Sequence, residues 1–153
     1  MFNSDKASKA APLLLSKGAD PNKAAIYRDE DGHAIVTPLY QAAMHGRTEV
    51  ARSLLESKAD PNERARSTDK DGVVDVTTPL YQAALKGSTE IVKGLLASGA
   101  DPNKGYKSTD LDGDVSVNTP LSEAAEEGSI EIVKILLAMG ARQDLDTGGG
   151  ELG

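Results

Sequence analysis

Cysteine and tryptophan are absent, and aromatic residues make up only 3% of the 153-residue chain. Without cysteine there is neither a disulfide framework nor a thiolate metal site, which agrees with a reducing compartment, cytoplasmic or otherwise intracellular. A globule of this size ordinarily fills its centre with a few large rings. Here the core must come from Leu, Ile, Val and Ala, which points to thin layers packed closely together. No apolar run reaches membrane-spanning length, and the opening residues Met1 to Lys6 lack a signal peptide's apolar stretch, so no membrane partner is expected. The net charge of −7 disfavours nucleic acid, because phosphate repels an acidic surface, and it favours solubility. Only two histidines are present, His33 and His45, with no Ser-His-Asp spacing and no phosphate-cradling glycine loop. These absences predict a chain that is not an enzyme and needs no cofactor or metal.

What is present is repetition. Thr-Pro-Leu begins at Thr37, Thr78 and Thr119, each 41 residues after the last, and Ala-Asp-Pro-Asn ends at Asn22, Asn62 and Asn103. Between residues 37–77 and 78–118, about 24 of 41 positions are identical, which marks a stacked array rather than a single globule. Each unit reads alike. Thr37 suits an N-cap and Pro38 the first helical position. A short helix over Leu39 to His45 should end at Gly46, a residue free to take positive φ. A second helix from about Thr48 to Ser57 has Glu49 in its first turn and Val50, Leu54 and Leu55 on one face. Ala42-Ala43, Ala83-Ala84 and Ala124-Ala125 let neighbouring first helices approach, and no unit could bury its apolar face alone.

The run TPLYQAAMHGRTEVARSLLESKADPN resembles the ankyrin-repeat pattern TPLHxAAxxGHxEIVxxLLxxGADxN, as do the two later copies, across nearly all of residues 8–142. The resemblance implies a mainly α solenoid of helix–turn–helix units joined by β-hairpins, working by protein–protein interaction. The expected organisation is one domain over 1–153. It comprises a partial first unit (1–36), units 37–77, 78–118 and 119–147, and a flexible tail at 148–153. The first unit keeps only its second helix, about residues 8–17, which suggests an array cut from a longer one. The motif's His is replaced by Tyr40, Tyr81 and Ser122, which puts its inter-repeat hydrogen bond in doubt. In similar repeats an Asn placed as Asn22, Asn62 and Asn103 are can be hydroxylated by an oxygen-sensing dioxygenase. The plainer role is to tie down the hairpin start through bonds to backbone.

The family period is about 33 residues, so each unit carries about eight extra, divided between the two hairpin arms. Four more residues per arm carry the tip about 13 Å further. With Asp69-Lys70-Asp71-Gly72 as the turn, the expected pairs are Thr68/Val73, Ser67/Val74, Arg66/Asp75 and Ala65/Val76. One face would carry Ser67, Val74, Ala65 and Val76, and the other Thr68, Val73, Arg66 and Asp75. The third hairpin would pair Ser108 with Val115 and Tyr106 with Val117.

These lengthened hairpins and the first helices should form a partner-binding surface. Its candidate residues are Met44, His45, Arg66, Lys70, Val74, Leu85, Lys86, Tyr106, Val115 and Glu126. The expected partner is another protein, met by a monomer. Glu123, Glu126 and Glu127 would make the third helical position acidic, while Tyr40 and Tyr81 read as inter-repeat packing. Two other readings stand beside this one: an engineered or structural scaffold without a ligand, and a calcium-stabilised module using the Asp-rich turns at Asp29, Asp69 and Asp110. Asp-Gly is also what a hairpin turn requires.

Overall fold

A computed structural model describes residues 16–143. The expected second helix of the first unit and the tail at 148–153 lie wholly or almost wholly outside these residues. The described chain runs β1 (Ala25–Asp29), β2 (Gly32–Val36), α1 (Pro38–Met44), α2 (Thr48–Glu56), β3 (Ala65–Asp69), β4 (Val74–Thr77), α3 (Pro79–Lys86), α4 (Thr89–Ala97), β5 (Tyr106–Thr109), β6 (Val115–Asn118), α5 (Pro120–Glu126) and α6 (Ile130–Ala138).

The local chemistry repeats with the sequence. Thr37, Thr78 and Thr119 cap the first helices, their hydroxyls accepting from the N–H of Tyr40, Tyr81 and Ser122 at 3.2, 3.1 and 3.0 Å. The second helices lack a side-chain cap bond, but each has a glutamate in its first turn, where the helix dipole favours negative charge. They end with a left-handed residue. Gly99 and Gly140 fill that place in two units, but Lys58 fills it in the other at φ 72°. The following N–H then closes back on the helix, Ala59 on Leu54 and Ala100 on Leu95, both at 2.9 Å.

Leu39, Leu80, Ile91, Val92, Leu95, Ile132 and Leu136 are fully buried in one continuous core. Ala42, Ala43, Ala83, Ala84 and Ala124 are buried too, so the first helices sit close against one another. The second helices leave a cavity of about 250 Å³ between α2 and α4, beside Leu55 and Gly94. Close inner helices and looser outer ones curve the array around its first helices.

Two expectations change here. A mainly α solenoid understates the sheet: all six strands join into one antiparallel sheet in chain order, because β2 pairs with β3 and β4 with β5 across the unit boundaries. The hairpins thus form one continuous wall. The register also differs by one residue. Thr68 pairs with Val74, Ser67 with Asp75, Arg66 with Val76 and Ala65 with Thr77. In the third hairpin Ser108 pairs with Ser116, Thr109 with Val115 and Tyr106 with Asn118.

The cause lies in the turn. Gly72 N–H bonds to the Asp69 carbonyl, Gly72 sits at φ 94°, and Asp69 N–H reaches the Val73 carbonyl, a tight turn followed by a one-residue bulge. The extra residue flips every later side chain of the return arm to the opposite face. The first hairpin, one residue shorter, pairs Asp29 directly with Gly32.

Candidate functional site

Pairing across six strands sorts the side chains into two faces. The inner face, turned toward the first helices, carries Tyr27, Ala34, Ser67, Asp75, Ser108 and Ser116 in one row, with Asp29 and Asp69 above. The outer face carries Ile26, Ile35, Arg66, Val76, Lys107 and Val117, then Arg28, His33, Thr68, Val74, Thr109 and Val115. The charges on the two faces are therefore opposite in sign.

A network of aromatic and polar groups joins the inner face to the helices. Tyr106 stacks on Tyr81 with ring centroids 5.7 Å apart, and its hydroxyl donates to Asp75 Oδ1 at 3.0 Å. Tyr81 donates to Glu123 Oε1 at 2.5 Å, and Asn118 Nδ2 donates to both at 3.2 and 3.1 Å. Gln41 donates to the Tyr27 hydroxyl at 2.8 Å, tying the first hairpin to α1. Burial raises the hydroxyl pKa of Tyr40, Tyr81 and Tyr106 above the usual tyrosine range. The Glu123 carboxylate adds to the effect at Tyr81, and Asp75 adds to it at Tyr106. Tyr40 and Tyr81 are buried, as packing residues should be. Tyr81 also supplies the hydrogen bond between units that the missing His left in doubt.

Below this network the groove holds a cavity of about 320 Å³, lined by Tyr40, Met44, Asp75, Thr77, Gln82 and Tyr106 among others. Thr77 is buried, and its hydroxyl has no hydrogen-bond partner among the described residues. Leaving such a group unpaired costs about 1–3 kcal/mol.

The ten expected contact residues divide among four places. Met44 and Tyr106 line the groove, Tyr106 being already engaged by Tyr81 and Asp75. His45, Leu85, Lys86 and Glu126 are exposed at the ends of the first helices, with the Lys86 stem lying against Gly46 of the preceding unit. Lys70 is exposed at a tip. Arg66, Val74 and Val115 are on the outer face, Val74 and Val115 through the bulged register of their return arms, and Arg66 also borders the groove cavity.

Glu123 is another correction. It is only 6% exposed and bonded to Tyr81, so it adds no acidic surface. Asp75, Thr77 and Gln82 were missed as groove residues. For Asp75 and Thr77 the signal was the glycine at the fourth turn position, which marks the bulge that faces them inward.

The Asp-rich turns use their carboxylates on backbone. Asp69 Oδ1 accepts from the N–H of Asp71 and Val73, and Asp110 Oδ1 from Asp112 and Asp114, all at 2.9 to 3.0 Å. Among the described residues, no three His, Cys, Asp or Glu side chains gather closely enough to hold a metal ion. No described helix is long and apolar enough to cross a membrane. Asn22, Asn62 and Asn103 bond not to their own hairpins but to the backbone of the next unit.

These features define a repeat solenoid whose units bury their faces on one another and whose groove runs beside a sheet. The family profile "Ankyrin repeats (3 copies)" matches residues 3–106 and 66–147, and the chain belongs to the ankyrin-repeat family. Such repeats are generally protein–protein interaction modules and typically have no enzymatic activity. No curated protein matches the chain.

Proposed function

We propose that the protein is a non-catalytic monomeric module, one ankyrin domain, which grips another protein in the groove between the inner sheet face and the first helices. The observation that carries this reading is the cavity beside Met44 and Gln82, with the unpartnered Thr77 hydroxyl and the Asp75 carboxylate at its wall. A partner side chain bearing a hydrogen-bond donor would add to the bond that Asp75 already accepts from Tyr106, while its stem covers Met44. The groove is preformed by packed helices and a bonded sheet, so little ordering entropy opposes association. The acidic inner face and the net charge of −7 favour a protein ligand over nucleic acid or membrane.

The test places a photo-crosslinking residue at Met44, Leu85 or the outlying Leu137, followed by mass spectrometry of what is captured from cell extract. The expected result is one protein captured from Met44 and Leu85 but not from Leu137, and lost from the Leu85 probe in a Met44→Asp background. Equal capture from Leu137 would count against the groove.

A further inference from the structure

The outer face of the sheet is the part of the molecule that the groove does not use. A half-wet antiparallel sheet should turn polar residues to solvent. Here the outward rows carry six aliphatic residues on one side or the other of the cations, and Ile26, Ile35 and Val115 are 60%, 40% and 45% exposed.

The paired positions of this face hold Arg28, Arg66 and Lys107, and no acidic residue. Arg66, Val76 and Lys107 lie in one row across three strands, so the two cations straddle a valine about 10 Å apart. Beneath them a cleft of about 660 Å³ is walled by Arg64, Arg66, Lys104 and Lys107 over Val74 and Val76, with Glu63 the one acid at its rim. None of these four cations makes an ion pair among the described residues. Unpaired cations gathered over valines, on a chain of net charge −7, form a local field opposite to that of the molecule.

We infer that this outer face is a second docking surface, for an acidic segment of another protein that also carries aliphatic side chains. Charge complementarity selects the acidic groups. The aliphatic rows select against a ligand that is charge alone, because a polyphosphate chain offers them no apolar surface and is repelled by the rest of the molecule. The lengthened hairpin arms create the face, since the paired rows from Arg28 to Val115 lie within the added residues. This surface is on the opposite side of the sheet from the groove and does not depend on it.

The experiment uses the full chain and a fluorescein-labelled twelve-residue peptide of alternating Glu and Val, read by anisotropy at 50 and 200 mM salt. Comparators are a Glu/Ser peptide of equal charge and a twelve-nucleotide single-stranded RNA. The Glu/Val peptide should bind at least tenfold tighter than either. Arg66→Glu with Lys107→Glu should weaken it at least tenfold, and Ile35→Thr with Val76→Thr at least threefold. Met44→Asp in the groove should leave it unchanged. If the charge-reversed protein fails to melt cooperatively, Arg66→Gln with Lys107→Gln takes its place, with at least a threefold loss expected. Unchanged binding by the folded charge variants would overturn the proposal. Equal binding of the Glu/Ser peptide or the RNA would do so too, as would self-association of the free protein through Val76 in sedimentation.

Discussion

The side-chain carbonyl of Asn62 accepts the Asp101 N–H at 2.7 Å while its amide donates to the Gly99 carbonyl at 3.0 Å. Asn22 holds Asp60 and Lys58 in the same way, and Asn103 holds Arg142 and Gly140. One side chain per unit thus replaces water on the backbone of the next. Asn62→Ala leaves a donor and an acceptor unpaired at a unit boundary and should cost about 1–3 kcal/mol. Asn22→Ala, at a more exposed site, should cost less. Urea midpoints of the two variants at equal m-value check the order.

Tyr81→Phe removes one of the two side-chain donors to Glu123, a bond to a charged group worth about 1.5–3 kcal/mol. The same contact sets a pH dependence. Folding raises the Tyr81 pKa, so its stabilisation is fully present below the unfolded tyrosine value, about 10, and is lost as pH rises further. Thermal melts between pH 8 and 11 should fall more steeply for the parent than for Tyr81→Phe. Parallel curves would show that the hydroxyl does not titrate with folding.

Two residues break the repeat, and each points to a stabilising exchange. Lys58 occupies a left-handed position that Gly99 and Gly140 fill elsewhere, and a side chain there is strained. Gly94 stands in the middle of α4 where the neighbouring copies carry Ser53 and Ile135. A Cβ on it would touch only Leu55 Cδ1, at 3.4 Å and beside the inter-helix cavity. Lys58→Gly and Gly94→Ala should each add about 0.5–1 kcal/mol. Denaturant melts of the double variant measure any coupling through Leu55, whose carbonyl accepts the Lys58 N–H and whose side chain faces Gly94.

The helical stack should outweigh the hairpins in stability. Leu95 is fully buried, and Leu95→Ala should cost about 2–5 kcal/mol. Val115 is 45% exposed at the end of a strand, so Val115→Ala should cost less than about 1 kcal/mol. Equal denaturation midpoints would place the third hairpin inside the main core.

Sequence reading succeeded where the chemistry is local. Thr37-Pro38 caps and starts a helix by itself, Gly46 turns the chain by itself, and Ala42-Ala43 needs only a neighbour of the same kind. It failed where one residue's place depends on another far along the chain. Val73 shifts its whole strand because Gly72 absorbs a bulge, and a period of two turns that single step into an exchange of faces. For this reason Val74, expected on the face opposite Arg66, shares a face with it, and Val115 pairs with Thr109 instead of Ser108. Glu123 looked solvated among Glu126 and Glu127, yet it is covered by Tyr81, 42 residues earlier.

Joining the hairpins edge to edge gives the array the section of a beam with two flanges, one of stacked first helices and one of strands. Bending such a beam must stretch one flange while it compresses the other, so its curvature resists change more than that of either layer alone. To peel away one unit, a pull on the two ends must break the β2–β3 or β4–β5 ladder as well as a helical interface. An array of the same helices with short hairpins would lack the second flange, so under load this one should hold its shape longer and then give way a whole unit at a time.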